Sequence, residues 1–283
     1  MGETVDAAGD FEELADGLHH PEGVAWNPFD GLVYAGGEGG EIYAVTLGGE
    51  VTEVVSSGGS MLGLAVDGRG RVVACDAGNG EVVRWDPARG LEVVARGPGG
   101  GPLDTPNMLA FDPRGALYVT CSGEDGFPSV VRVAAGAEPE VWVESFMEYP
   151  NGCAVAADGR TLYVVDSHGR SVFAIPVGED GASGPPQTVA SLPDTDADGV
   201  ALDTHGSLWI TLYRPDGIVR VGRDGVVETI IEDHLAQTFD APTNLAFVGL
   251  DLDRVVVANV GDRFLSIGDL GVRGQALHYP NVD

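Results

Sequence analysis

Short apolar runs of four to six residues recur along the whole chain, and each is closed by a turn containing Gly, Asp or Ser. In one stretch, residues 153–157 form a first run that Asp158-Gly159-Arg160 turns. Leu162-Tyr163-Val164-Val165 is a second run, turned at Ser167-His168-Gly169-Arg170. Residues 171–175 are a third and residues 187–192 a fourth. Runs of this length, rich in β-branched and aromatic residues and bounded by turn formers, read as strands joined in hairpins. Helical periodicity is confined to a weak pattern at residues 228–235.

The same grammar repeats six times. The first runs follow Glu22, Leu62, Asn107, Asn151, Asp198 and Thr243, at intervals of 40, 45, 44, 47 and 45 residues. A period of this size marks a repeat architecture. Four strands in each of six units predict an all-β fold, a six-bladed β-propeller filling residues 1–283 as a single domain. The segment Phe11-Glu12-Glu13-Leu14-Ala15 has no preceding unit of its own. It is expected to pair with the last blade and close the ring as a strand over residues 11–16, with residues 1–10 loose.

Composition narrows the partners. The formal net charge is -29, all 15 basic residues are arginine, and lysine is absent. Such a field repels nucleic acid and anionic lipid, so neither is an expected partner. A small-molecule substrate is expected instead, on a monomer or weak oligomer. No apolar run is long enough to span a bilayer, and the N-terminus lacks the features of a secretory signal, so a cytoplasmic location is expected. Cys75, Cys121 and Cys153 each fall within an apolar run of a different repeat, which fits buried free thiols.

In a propeller the first strand of each blade lines the central channel. The six residues that open these strands then face one mouth. Glu22, Asn107, Asn151 and Asp198 offer oxygen there. Any one of them alone is an ordinary turn residue; four in one register of a repeat converge on the axis. Oxygen donors suit hard cations, calcium above all. Zn²⁺, Mn²⁺ or Mg²⁺ are the alternatives.

With these residues the chain resembles the calcium-dependent six-bladed propellers of the regucalcin/gluconolactonase group. The resemblance runs from about residue 11 to residue 270 and is carried by His20-Pro21-Glu22-Gly23, Pro106-Asn107, Pro150-Asn151-Gly152 and Asp198-Gly199-Val200. It implies that Glu22, Asn151 and Asp198 are metal ligands and that Asn107 is a ligand or a substrate contact. There are departures. Thr105 stands where sugar-binding members carry Arg, and Met108 where they carry Asp. The third-blade insertion, Ser122-Gly123-Glu124-Asp125-Gly126-Phe127, is short. They argue against gluconolactone itself and for a more apolar lactone or ester, with Met61, Leu62, Met108 and Phe127 as candidate contacts.

The expected activity is metal-dependent hydrolysis of a lactone or related ester, the cation polarising the carbonyl for attack by water. Asp198 is the first candidate for the carboxylate that activates the water. Asp166 is the second, because its strand returns to the same face; a turn cap is the plainer role for it. Met108, His20 and Thr243 complete the expected substrate contacts with Asn107. Histidines more often serve as structural hydrogen-bonders, and of the six, His20 and His168 lie nearest the mouth. Phosphotriester hydrolysis on the same metal is one alternative function. A binding scaffold with a structural metal is another, since propellers host many functions.

Overall fold

The computed structural model describes residues 11–123, 126–144, 146–192 and 195–282. The segment 1–10, expected to be loose, lies outside them, as do residues 124 and 125 of the short third-blade insertion. The described chain forms six four-stranded antiparallel sheets and no α-helix. Five blades are built from four consecutive strands each. Their inner strands are Val24–Asn27, Met61–Val66, Pro106–Phe111, Pro150–Val155 and Asp196–Leu202. Among the described residues, no helix is long and apolar enough to cross a membrane.

The sixth blade closes the ring as expected. Outward from the axis it runs Pro242–Val248, Arg254–Asn259 and Phe264–Gly268, then the N-terminal strand Glu12–Asp16. Glu12 lies opposite Ile267 and Asp16 opposite Phe264. The first strand of the chain thus fills the outer edge of the last blade and removes an exposed ladder.

The inner and middle strands are apolar on both faces because each face meets a different neighbour. Six apolar clusters fill the six clefts between blades. The cleft between blades one and six holds Leu18, Trp26, Val33 and Val45 against Val248, Val256, Leu265 and Ile267. The cleft between blades five and six holds Trp209 and Ile218 against Leu245 and Val257, with Phe11 and Phe239 stacked edge-to-face at 5.1 Å. Cys75, Cys121 and Cys153 are buried free thiols in these clefts. Burial pushes Cys121 and Cys153 up to about 12, which keeps them protonated and inert.

The weak helical pattern at residues 228–235 is overridden. Val227–Glu232 is the outer strand of blade five, with Val227 opposite Val221 and Thr229 opposite Val219. An outer strand carries polar residues on its open side, and there an apolar spacing can imitate a helix.

The C-terminal tail crosses the face of the ring opposite the site described below. Gly274 N donates to Leu252 O of blade six, and Gln275 N to Leu202 O of blade five. Gln275 Nε2 and His278 Nε2 donate to Val155 O and Ala156 O of blade four. Gly68 N of blade two donates to Pro280 O, and the Arg71 guanidinium to Val282 O. Val282 packs on the cleft between blades two and three, and Tyr279 meets Phe29 of blade one edge-to-face at 5.7 Å. This strap covers part of an apolar cavity of about 80 Å³ in the lower channel, with Leu277, His278 and Tyr279 in its wall.

Candidate metal centre and active site

A β-bulge shapes the site in every blade but the first. Between Pro106 and Leu109 the inner strand carries one residue more than its partner, which runs from Cys121 to Val119. The same irregularity occurs between Met61 and Leu64, Pro150 and Cys153, Ala197 and Val200, and Pro242 and Asn244. A bulge frees a residue from the ladder and re-aims its side chain. The residues released are the predicted ones. The inner strands therefore begin before the apolar runs, with the site residues inside them. In blade one Glu22 stands just before the strand, its amide donating to Gly36 O at 3.0 Å.

Glu22, Leu62, Asn107, Asn151, Asp198 and Thr243 line a single mouth of about 630 Å³, with His20 at its rim. The glycines after four of them have a steric cause. A Cβ on Gly23 would strike Leu62 O, one on Gly152 would strike Asp198 O, and one on Gly199 would strike Thr243 O. At these positions the adjacent inner strand passes too closely for a side chain.

Both asparagines are held from behind. Asn107 Nδ2 donates to Ser122 Oγ at 3.0 Å, and Asn151 Nδ2 to Ser167 Oγ at 3.2 Å. The two serines pass the bond on to the next blade, at Pro150 O and Ala197 O. With the amide nitrogens engaged, the carbonyl oxygens are what these side chains have left to offer. Asn151 Oδ1 is buried with no hydrogen-bond partner, and so is Asn244 Oδ1. Orphaned buried oxygens of this kind call for a ligand.

Glu22 and Asp198 lie deep in the protein, yet each keeps part of its surface open to the mouth. Burial, reinforced by the charge of Glu38, pushes Glu22 up to about 7. Burial raises Asp198 well above the usual carboxylate range; the charge of Glu22 adds to this, and a hydrogen bond from Asn151 opposes it. Two carboxylates that repel each other beside an unpartnered amide oxygen fit a divalent cation, which would relieve both penalties. Glu22, Asn151 and Asp198 would hold it, with Asn107 beside them.

Two expected site residues are not brought to the mouth. Asp166 is buried and accepts from the amides of Glu148, Tyr149 and Gly169, the closest at 2.8 Å. It caps a loop and has no oxygen aimed at the axis. Met108 lines the apolar cavity of the lower channel and not the mouth. Thr243 does line the mouth, but its hydroxyl donates to Glu22 O at 2.7 Å, so it positions the glutamate. Of the other apolar candidates, Leu62 lines the mouth, Met61 is buried between blades, and Phe127 is largely exposed. The mouth also gathers residues that the repeat pattern did not single out. They include Tyr149, Tyr213, Glu38 and Asp196; His168 lines the mouth as expected, its ring 4.5 Å from that of Tyr149 and tilted at 39°. The serines behind the asparagines were legible in principle, since Cys121-Ser122 and Asp166-Ser167 end equivalent strands.

These features define a six-bladed propeller with an oxygen-donor centre at one end of its channel. The family model described as "SMP-30/Gluconolactonase/LRE-like region" matches residues 20–260, and the chain belongs to that family. An uncharacterized protein of Sulfolobus acidocaldarius is 25% identical over 136 residues, which is 46% of this chain and 48% of that protein. The chain thus matches about half the length of this curated relative. A gluconolactonase from Xanthomonas campestris superposes with a TM-score of 0.79 at 23% identity, covering 94% of this chain and 89% of that one. The calcium-binding protein regucalcin from Agrobacterium tumefaciens gives 0.75 at 19% identity, covering 95% of each chain. A luciferin-regenerating enzyme gives 0.79 at 17%, covering 96% and 99%. At these identities the structural likeness speaks to the fold.

Proposed function

We propose that the protein hydrolyses a neutral lactone or related ester in a metal-dependent reaction at this mouth. The observation that carries the reading is the convergence of Glu22, Asn151 and Asp198, with Asn151 Oδ1 buried and unpartnered. Membership of the gluconolactonase family supports lactone hydrolysis as the reaction type. A bound divalent cation, calcium above all, would polarise the substrate carbonyl and stabilise the negative charge that develops on it.

The chain's own residues supply the rest. Asp198 accepts the proton of the attacking water at its carboxylate and returns it to the ring oxygen as the carbon–oxygen bond of the lactone breaks. Asn107 and the rim imidazole of His20 meet the substrate's polar edge, while Leu62, Tyr149 and Tyr213 cover its apolar part. The mouth is lined by Glu22, Glu38, Asp196 and Asp198 and by no arginine. Arg214, next in the chain to the mouth residue Tyr213, is paired with Asp216 at 2.6 Å and lies over the Tyr213 ring. This charge pattern disfavours anionic substrates and selects neutral ones.

A panel of neutral lactones, aryl esters and phosphotriesters, assayed for acid release with calcium and with excess chelator, tests the reading. Lactone turnover that needs the metal and falls at least 100-fold in Asp198→Asn is expected. Turnover that survives full chelation overturns the metal dependence, and a panel inert with metal present overturns the hydrolase.

A further inference from the structure

The rim of the mouth carries a second constellation that the oxygen centre does not use. One nitrogen of His19, one nitrogen of His20 and one carboxylate oxygen of Glu38 all lie within 4.8 Å of one another. We propose that these three residues form a separate transition-metal site, specific for a borderline ion such as Zn²⁺.

The hydrogen bonds behind the imidazoles argue for it. His20 Nδ1 lies 2.8 Å from Val260 O. A carbonyl only accepts, so Nδ1 carries a proton here, which leaves Nε2 as the nitrogen available to a ligand. His19 Nδ1 lies 3.2 Å from Glu41 Oε1, and a carboxylate oxygen accepting from Nδ1 leaves Nε2 available in the same way. Metal-ligating histidines are oriented in this way, through a carbonyl or carboxylate on the far nitrogen. Glu41 is itself sequestered, its Oε2 buried with no partner.

The backbone points the same way. His20 adopts φ 45°, a conformation that costs a non-glycine residue free energy. Glu38 is fastened to the same turn, its amide donating to His19 O at 3.0 Å. The three side chains are thus gathered by local main-chain geometry. Their chemistry differs from that of the deeper centre. Two imidazoles and one carboxylate suit zinc and its first-row neighbours, and they suit calcium poorly. Three protein ligands leave coordination positions open, as in catalytic zinc sites. Because His20 and Glu38 also line the mouth, an open position there would be within reach of a molecule bound in it.

The proposal shares His20 with the hydrolase reading but does not rest on it, and the test keeps the two apart by reading metal binding rather than turnover. Protein saturated with calcium is titrated with Zn²⁺ by calorimetry and with Cu²⁺ by electron paramagnetic resonance. One equivalent of zinc is expected to bind despite excess calcium, and the copper spectrum should show coupling to two imidazole nitrogens. His19→Gln and Glu38→Gln should each weaken zinc at least tenfold. His20→Asn should do the same, with a side chain that tolerates the left-handed backbone. Glu22→Gln should weaken calcium and leave zinc unchanged. Circular dichroism confirms that each variant is folded, and the exposed Glu38→Gln is the least disruptive. Zinc uptake that excess calcium abolishes, that persists in the His19→Gln/His20→Asn double variant, or that is lost in His234→Gln at the surface pair with Glu232 overturns the site.

Discussion

Asn244 Nδ2 donates to Met108 Sδ at 3.3 Å, joining blades three and six across the channel axis. These two blades face each other in the ring. At the position after the mouth residue, blades one, two, four and five carry glycine, and only Met108 and Asn244 carry side chains. A Cβ on Gly63 would strike Met108 Sδ, which shows how completely this pair fills the axis. Met108 also lines the apolar cavity of the lower channel.

Met108 should therefore act through packing. Met108→Leu conserves volume and should cost less than about 1.5 kcal/mol. Met108→Ala should cost about 2–5 kcal/mol. Denaturant midpoints measure both. KM for the best substrate should stay within about twofold in Met108→Leu; a tenfold rise would return Met108 to the substrate.

Glu22→Gln removes one of the two carboxylates at the proposed cation site. Calcium affinity should fall at least tenfold, and the thermal shift on adding calcium should shrink accordingly. A ligand present at about 100 times its Kd stabilises by about 2.7 kcal/mol and at about 10 times by about 1.4 kcal/mol, so a tenfold loss removes about 1.3 kcal/mol, a shift of a few degrees. Differential scanning calorimetry with and without calcium reads it. An undiminished shift would place the ion elsewhere.

In chelator, stability should fall as pH rises. Glu22 is held up to about 7 and Asp198 is raised as well. The folded protein therefore binds more protons than the unfolded chain between about pH 4.5 and 7. The stabilisation from protonated Glu22 is complete below the unfolded value and is lost as pH passes about 7, on a scale of about 1–3 kcal/mol. Calcium should flatten this trend, because binding favours the ionised carboxylates. Urea unfolding from pH 5 to 8 checks the sign, and Glu22→Gln should remove its share of the slope. A stability that climbs with pH in chelator would contradict the assignment.

Deleting residues 1–16 should destabilise the whole ring. It removes Ala15 from the cleft between blades one and six and Phe11 from that between blades five and six, and it bares the edge of Phe264–Gly268. Light scattering should show self-association, and thermal unfolding should shift as one transition. A protein that loses only a local signal and keeps its midpoint would mean the closing strand is dispensable.

Much of this was readable from the chain because both the propeller and its centre are written once per repeat. Glu22, Asn107, Asn151 and Asp198 share a register, and register is a one-dimensional property. What escaped depended on three-dimensional neighbours. Asp166 looks like a base until the amides of Glu148, Tyr149 and Gly169 are seen to occupy its oxygens. Met108 follows a mouth residue in sequence, yet the bulge turns it down the channel. The serines behind the asparagines are ordinary turn residues until the asparagine amides are traced. The C-terminal strap has no alternation to betray it, since it is held by main-chain bonds to successive blades rather than by an apolar face.

The closing strand also sets a clock on biosynthesis. Asp16 must wait for Phe264, roughly 250 residues later in translation. At about 5–20 residues per second that is on the order of 10–50 s on the ribosome. During that interval the growing array lacks its final cleft and keeps a raw edge. Nascent chains should consequently be most vulnerable to chaperone capture and proteolysis late in synthesis, just before the two ends of the polypeptide meet.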